Sequence, residues 1–453
     1  MSCCVTLAQL IGVIQATPLN IVDLNQQTMG ITTDTRSLPP GSVFLALQGE
    51  NFDGHDFLDA AIAKGAIAAI VASVPQTSDL PLLQVADPLQ AYQAIAHWWR
   101  NQFTIPVIAI TGSVGKTTTK ELIAAVLAHV QPAAIVHKTQ ANYNNEIGVP
   151  KTLLELDRNH NYAVIEMGMR ARGEIALLTQ IACPDIAVIT NVGTAHIGRL
   201  GSELAIAQAK CELLATMPRS GIAILNHDNA LLLETAATVW QGRTITYGLE
   251  GGDLRGTLVN PETLQVGDQR FPLPLPGRHN ALNYLAALAV TQALNLDRTP
   301  LTAGLTVELP SGRAQRWDLP NDVVILDETY NAGLESMLAA LHLLAQTPGK
   351  RRIAVLGAMK ELGDRSPEFH RRVGETAQLL KLDHLLLLAD GAEVAAIAAG
   401  TTSLLAEKFT THPALVEGLK RLVQPGDRLL FKASRAIGLD RVVDQFRAEY
   451  GKN

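Results

Sequence analysis

Apolar positions come in two rhythms along this chain. Short unbroken apolar runs, the length of a buried strand, alternate with longer stretches where apolar residues return every three or four positions, as on one helix face. Residues 105–110 (IPVIAI) form such a run, and Leu122, Ile123, Val126, Leu127 and Val130 then recur at helical spacing. The same exchange continues through YAVIEMG, DIAVITNVGTAH, a helical AIAQAKCELLATM and GIAILNHDN. Alternation of this kind predicts a mostly parallel sheet covered by helices, so the fold class is α/β. Before it, residues 1–86 mix short strand-like pieces with turns and predict a small α/β domain, with a helix from Pro88 to Arg100 leading into the next unit. After the turn-rich joint LPSGRAQRWDLPND, new strands are predicted at VVILDETY, RRIAVLGAM, HLLLLAD and RLLFKAS, a third domain of Rossmann-like type. Three domains are expected, over 1–86, 87–312 and 313–453.

The junction between the first run and its helix is Thr111-Gly112-Ser113-Val114-Gly115-Lys116-Thr117-Thr118. Strand, glycine loop and helix in this order let backbone N–H groups converge on an anion at a helix N-terminus. Lys116 adds charge for β- and γ-phosphates, and Thr117 offers an oxygen to Mg²⁺. A standard Walker A motif has a glycine where Ile110 stands, so the loop reads TGxxGKTTT. A plain glycine turn is the alternative, but strand, loop, Lys-Thr pair and amphipathic helix agree on a nucleoside triphosphate.

Glu166 closes one predicted strand, and His196 lies just beyond Asn191, which closes the next. Alone, each is a capped or solvated residue; beside a triphosphate loop, both lie where a bound Mg²⁺ would be. Lys210 falls inside an otherwise apolar helix and by itself reads as a surface lysine with its stem laid along apolar surface. Arg278, His279, Asn280 and Asn283 begin a helix and could bond a base or ribose, or cap the turn. Asp34-Thr35-Arg36 and Asp53-Gly54-His55 read as turn chemistry. In the third domain, Asp327, Tyr330 and Asn331, then Met359 to Gly363, then Lys432 to Arg435 stand at strand ends and suggest one cleft. No GxGxxG occurs there, so no nicotinamide cofactor is expected.

Composition narrows the field. With 453 residues, 47% of them hydrophobic, the chain is too long for a single core. A net charge of −6 argues against broad nucleic-acid binding. Four cysteines without a paired spacing indicate neither a disulfide framework nor structural zinc, which fits a reducing cytoplasm. The apolar start carries no basic residue before Arg36, so a signal peptide is not expected, and no apolar run reaches membrane-spanning length. A monomer is the expectation.

TGSVGKTTTKE, NYNNEIGVP, EMGM, TNVGTAHIG, the AKCEL lysine, LNHDN, GRHNALN, SGR, DETYNA and KASR occur in one order along the chain. In that combination it resembles a Mur ligase over essentially its full length. Within the family, KTTTKE, EMGMRARGEIA, DETYNA and LGAMKELGDRSPEFH are most similar to the member that adds D-alanyl-D-alanine to UDP-N-acetylmuramoyl-tripeptide. The diaminopimelate- or lysine-adding sibling usually shows DYAHTP where DETYNA stands here, and folylpolyglutamate synthase lacks a preceding UDP-binding domain. Two segments depart from the family pattern: DETYNAGLES from DD-x-YNANP-x-S, and KASR from KGSR.

The resemblance implies an ATP-dependent amide ligase working through an acyl phosphate with two Mg²⁺ ions. It implies that Gly112 to Thr118 cradle ATP, and that Lys116 contacts the β/γ-phosphates. Thr117, Glu166 and His196 would hold Mg²⁺, with Lys210, carbamylated in several family members, holding a second ion. Asn280, with Asn283 beside it, would lie by the adenine, Arg313 by the phosphates and Asp327 by the ribose, with Tyr330 and Asn331 in the same loop. The UDP moiety would rest near Asp34, Thr35, Arg36, Gln48 and Gly49. Lys432, Ser434 and Arg435 would meet the dipeptide. A P-loop switch ATPase would use the same loop but leaves the first domain, with its anion-suited turns, unexplained.

Overall fold

The computed structural model describes residues 3–74, 80–388 and 391–450. Its strands form three sheets. The first runs in the spatial order Thr17–Leu19, Leu82–Gln84, Ala68–Val71, Val43–Leu45, Ile31–Thr32, parallel except for the first pair. Its predicted helical face is only half buried: Leu58 and Ala61 point inward, whereas Phe57 and Ile62 are 44% and 43% exposed. The cause is a break in the helix, since residues 54–57 form a tight single turn and the α-helix itself runs only over Leu58–Ala63.

The middle sheet has nine strands. At its centre Val107–Thr111 lies between Ile186–Ile189 and His160–Glu166, parallel to both. This strand begins two residues later than the apolar run suggests, because Pro106 has no N–H to give a ladder and Val107 N–H donates to Asp185 Oδ2 at 2.8 Å. Val107 and Ala109 face one core while Ile108 and Ile110 face the other, so burial on both faces accounts for the unbroken apolar run. Register positions the chemistry: Ile110 pairs with Glu166, and Thr111 with Ile189. One edge of the sheet is extended by the antiparallel strands Leu254–Asn260, Thr263–Val266 and Gln269–Pro272.

The third sheet runs Gln315–Leu319, Val323–Asp327, Asp427–Lys432, Arg351–Gly357, His384–Leu388, Ala406–Phe409, parallel apart from its first pair. The strand expected at HLLLLAD ends at Leu388, and Ala389 and Asp390 lie outside the described residues. Part of the expected joint is itself a strand, Gln315–Leu319. Its burial alternates between half-buried and exposed, the two-residue rhythm of an edge strand, partly masked by the Gly and Pro residues around it. Asp327 and Lys432 end neighbouring parallel strands. Among the described residues, no helix is long and apolar enough to cross a membrane.

Candidate active site

The phosphate loop is held from behind by the segment after Ile189. Asn191 accepts from Val114 N–H at 3.0 Å through Oδ1 and donates to its carbonyl at 3.0 Å through Nδ2. Thr190 Oγ1 also donates to the Val114 carbonyl, at 2.7 Å, and Ser113 Oγ accepts from Gly193 N–H at 2.9 Å. This is why the strand ends at Ile189 rather than at Asn191: both polar side chains are drawn onto the loop. Gly112 has φ +153° and a Cβ there would lie 1.9 Å from Thr190 Oγ1; Gly115 has φ +84° and a Cβ would lie 2.6 Å from Asn283 Oδ1. Only glycine fits either place. Lys116 opens the helix Lys116–Val130, its amine donating to the Gly112 carbonyl at 2.8 Å, and Thr118 is half-buried in the same turn. Burial lowers the Lys116 pKa, Glu166 opposes the shift and Arg313 adds to it.

Thr117 Oγ1 donates to Glu166 Oε2 at 2.8 Å, and Asn144 Nδ2 donates to Glu166 Oε1 at 2.8 Å. Buried Lys120 donates to the Thr139 carbonyl at 2.6 Å, pairs with Glu121 at 3.0 Å and stands 3.9 Å from Glu166 Oε2. Lys138 closes the chain on the other oxygen of Glu121. The donor set suits Mg²⁺: two oxygens 2.8 Å apart match the edge of about 3 Å that an octahedron with Mg–O near 2.1 Å requires. His196 stands near Lys116 and Lys210, whose charges act on it. It opens the short helix Ile197–Leu200 in the left-handed region (φ 67°) and its Nδ1 meets Glu361 Oε2 at 2.6 Å. Among the described residues, no three His, Cys, Asp or Glu side chains gather in metal-binding geometry. Glu361 takes only the Nδ1 side of the His196 ring, the arrangement by which a carboxylate orients a histidine whose other nitrogen binds a metal. Burial lowers the His196 pKa, the Glu361 charge resists, and Lys116 and Lys210 push the same way as burial.

Lys210 is 1% exposed in the helix Glu203–Thr216, which overturns the surface reading of it. Among the described residues its amine has no hydrogen-bond or ion-pair partner. Burial first, then the Lys116 charge, drive its pKa well below the usual lysine value. Both causes favour the neutral amine over the ammonium, and the neutral amine is the form that can add carbon dioxide.

At the start of the helix Arg278–Ala293, Asn280 Nδ2 donates to the Pro276 carbonyl at 2.8 Å, and Thr119 Oγ1 donates to Asn283 Oδ1 at 3.2 Å. This binds the helix to the phosphate loop. From the third sheet, Asp327 Oδ1 accepts from Thr329 Oγ1 at 2.6 Å, and Tyr330 lies under the Arg313 guanidinium at 3.7 Å. The Arg313 Nε is buried without a partner among the described residues. Lys432, Ser434 and Arg435 are separated in role. The Lys432 amine is 3% exposed and donates to the Asn331 carbonyl at 3.0 Å, with Glu328 Oε2 at 3.8 Å. Ser434 is buried and accepts from Lys360 N–H at 2.9 Å. Both also reach the 328–332 loop, Ser434 through the Ala332 carbonyl at 3.4 Å. Arg435 remains outward, paired with Asp440 at 2.9 Å.

On the first sheet, Asp34 caps the turn Thr35–Ser37 and pairs with Arg36 at 2.8 Å. Hydrogen bonds from Arg36 hold the Asp34 carboxyl down at about 2. Gln48 bridges to Asp53, and Gly49 N–H donates to the Phe52 carbonyl at 2.9 Å. Across from Asp34 stands Lys151, 4.1 Å over the Tyr143 ring.

Comparison with known proteins agrees with this arrangement. Three family models match in turn: the Mur ligase family catalytic domain over 27–97, the Mur ligase middle domain over 110–291, and the Mur ligase glutamate ligase domain over 312–435. A UDP-N-acetylmuramoyl-tripeptide--D-alanyl-D-alanine ligase from Synechocystis is 60% identical over 435 residues, covering 95% of each chain. The chain belongs to the Mur ligase family. A crystal structure of MurF from Acinetobacter baumannii superposes with a TM-score of 0.91 at 32% identity, covering 99% of this chain and 100% of that one. MurF ligase from Thermotoga maritima in complex with ADP gives a TM-score of 0.83 at 32% identity, covering 94% and 98%.

Sequence reasoning passed over several residues that build this Mur ligase site. Lys120 lies three positions after Thr117 and so on the same helix face, a spacing that could have flagged it. Asn144 stood inside the quoted NYNNEIGVP without a role. Glu335 had no local signal, and Glu361, though inside the strand end Met359 to Gly363, had no assigned partner, since they meet Thr194 and His196 across 141 and 165 residues.

Proposed function

We infer that this Mur ligase joins D-alanyl-D-alanine to UDP-N-acetylmuramoyl-tripeptide at the expense of ATP, as a monomer, in cytoplasmic peptidoglycan precursor synthesis. Full-length similarity to ligases of that activity carries the reading. Residues 1–86 are assigned the UDP moiety through Asp34, Thr35, Arg36, Gln48 and Gly49, residues 87–312 ATP, and residues 313–453 the dipeptide.

Gly112 to Thr118 and Lys116 receive the β- and γ-phosphates at the helix start. Asn280 and Asn283 face the adenine, Arg313 with its free Nε the phosphates, and Asp327, Tyr330 and Asn331 the ribose side. Thr117, Glu166 and His196 are the residues that would hold Mg²⁺, and Lys210, after its neutral amine bonds to carbon dioxide and sheds a proton, would supply a carboxylate for a second ion. Bound there, Mg²⁺ neutralises charge on the transferring phosphoryl oxygens. The tripeptide's terminal carboxylate displaces ADP from the γ-phosphorus, giving an acyl phosphate. The dipeptide amine then attacks the acyl carbon, phosphate leaves and the amine loses its proton, forming the amide. Lys116 and the loop amides offset charge through the first step. Arg435 is the available cation for the dipeptide carboxylate.

Acceptor competition tests the assignment. Given D-alanyl-D-alanine, meso-diaminopimelate and L-lysine together with ATP and both UDP-N-acetylmuramoyl-L-alanyl-D-glutamate and UDP-N-acetylmuramoyl-tripeptide, the enzyme should yield only the pentapeptide mass. Incorporation of a single diamino acid would assign it to the sibling activity.

A further inference from the structure

The segment 190–199 is gripped from two sides. Toward the nucleotide, Thr190, Asn191 and Gly193 hold Val114 and Ser113 of the phosphate loop. Toward the third sheet, two carboxylates hold the same segment. Glu335 Oε1 accepts from Thr194 N–H at 2.7 Å, and its Oε2 from Thr194 Oγ1 at 3.3 Å. Glu361 Oε2 meets His196 Nδ1 at 2.6 Å, its Oε1 lies 3.6 Å from Arg199, and its carbonyl accepts from Gly198 N–H at 3.2 Å. The two units come close enough to forbid side chains: a Cβ on Gly198 would lie 2.6 Å from Gly363 N, and one on Gly193 would lie 2.6 Å from Glu335. His196 and Glu361 face each other in left-handed backbone, φ 67° and 64°. Such strain in a residue other than glycine persists only where its surroundings impose it.

We propose that Glu335 and Glu361 are positioning residues, a carboxylate clasp through which the 313–453 unit sets the 190–199 segment and, behind it, the phosphate loop. Phosphoryl transfer is then fast only while the unit that carries the amine acceptor is docked, which couples ATP consumption to amide formation. An unclasped segment leaves His196 without the partner that fixes its ring and leaves the Val114 and Ser113 contacts free to drift. The kinetic arm of this inference rests on the ligase reading; the structural arm does not.

Glu335→Gln and Glu361→Gln, singly and combined, test it. Each single variant should lower turnover by about tenfold or more, the scale of losing a group that orients a site residue, and the pair should lose more. KM for ATP and both peptides should stay within about twofold and the melting temperature should not move, whereas Glu375→Gln, an exposed acid of the same unit, should change nothing. Full turnover in the double variant, or a loss confined to KM, would overturn the clasp. Hydrogen exchange on the unaltered chain supplies a reading independent of catalysis and of variant folding. The Thr194 and Gly198 amides should be protected in step with the Ser113 and Val114 amides when a non-hydrolysable ATP analogue binds. Protection of the loop amides alone would equally overturn it. A wild-type enzyme without dipeptide-dependent phosphate release would sink the ligase reading and leave the exchange result standing on its own.

Discussion

Two helices at the phosphate site each bury a lysine to 1% exposure, in opposite surroundings. On Lys116–Val130, Lys120 has a carbonyl and Glu121 within hydrogen-bond range and Glu166 at 3.9 Å. On Glu203–Thr216, Lys210 has no acidic partner among the described residues, and Lys116 adds repulsion to burial. A buried cation among carboxylates is a brace, whose loss strands the charges it served. A buried amine without a counter-charge costs stability while it is protonated, so its retention points to chemistry.

Removing the brace should have the largest effect. Lys120→Met leaves Glu121 and Glu166 unneutralised by it, and should cost about 3–5 kcal/mol in urea unfolding. A cost below about 1 kcal/mol would mean that Lys138 alone neutralises Glu121 and that the two lysines are less different than their contacts indicate. Lys210→Met should do the reverse. Its unfolding free energy should hold or rise, while turnover in a phosphate-release assay falls by roughly 10²-fold or more. Stability lost in proportion to activity would erase the contrast.

The acid–base behaviour of the pair sharpens it further. Because the folded Lys210 pKa is depressed, the unfolded chain binds this proton more readily, and stability rises with pH between the folded value and 10.5. In bicarbonate-free buffer, wild type should gain up to about 1.4 kcal/mol per pH unit over Lys210→Met in the upper part of that window. Parallel pH curves would show that the amine is not held neutral. His279 gives a smaller effect in another range. Burial, with Lys432 nearby, pushes it down to about 4 from 6.5, so stability should fall as pH drops from 6.5 toward 4. His279→Gln should flatten that decline in acid-unfolding curves, and an unchanged slope would place the loss on carboxylates instead.

What could be read from sequence divides along similar lines. The phosphate loop was legible because strand, glycines and helix are contiguous, and Glu166 because a strand end beside that loop follows from parallel pairing. Helical spacing alone reads Lys210 as a surface lysine, since it shows which residues share a face but not what covers it; only the family resemblance gave it a role. Lys432 and Ser434 were legible as polar strand ends of one cleft, whereas their partners, Asn331 and Lys360, come from distant loops and were not. The strand Gln315–Leu319 was obscured by flanking turn residues. The contacts of Glu335 and Glu361 exist only once two sheets meet, and no local pattern encodes them.

The central claim is that one chain couples ATP to two peptide substrates, and the most direct test is phosphate release from MgATP with UDP-N-acetylmuramoyl-tripeptide, with and without D-alanyl-D-alanine, followed by product mass. The account predicts sustained release only with both peptides, matched one for one by the UDP-N-acetylmuramoyl-pentapeptide. Sustained release from MgATP alone, with no amide product, would contradict it.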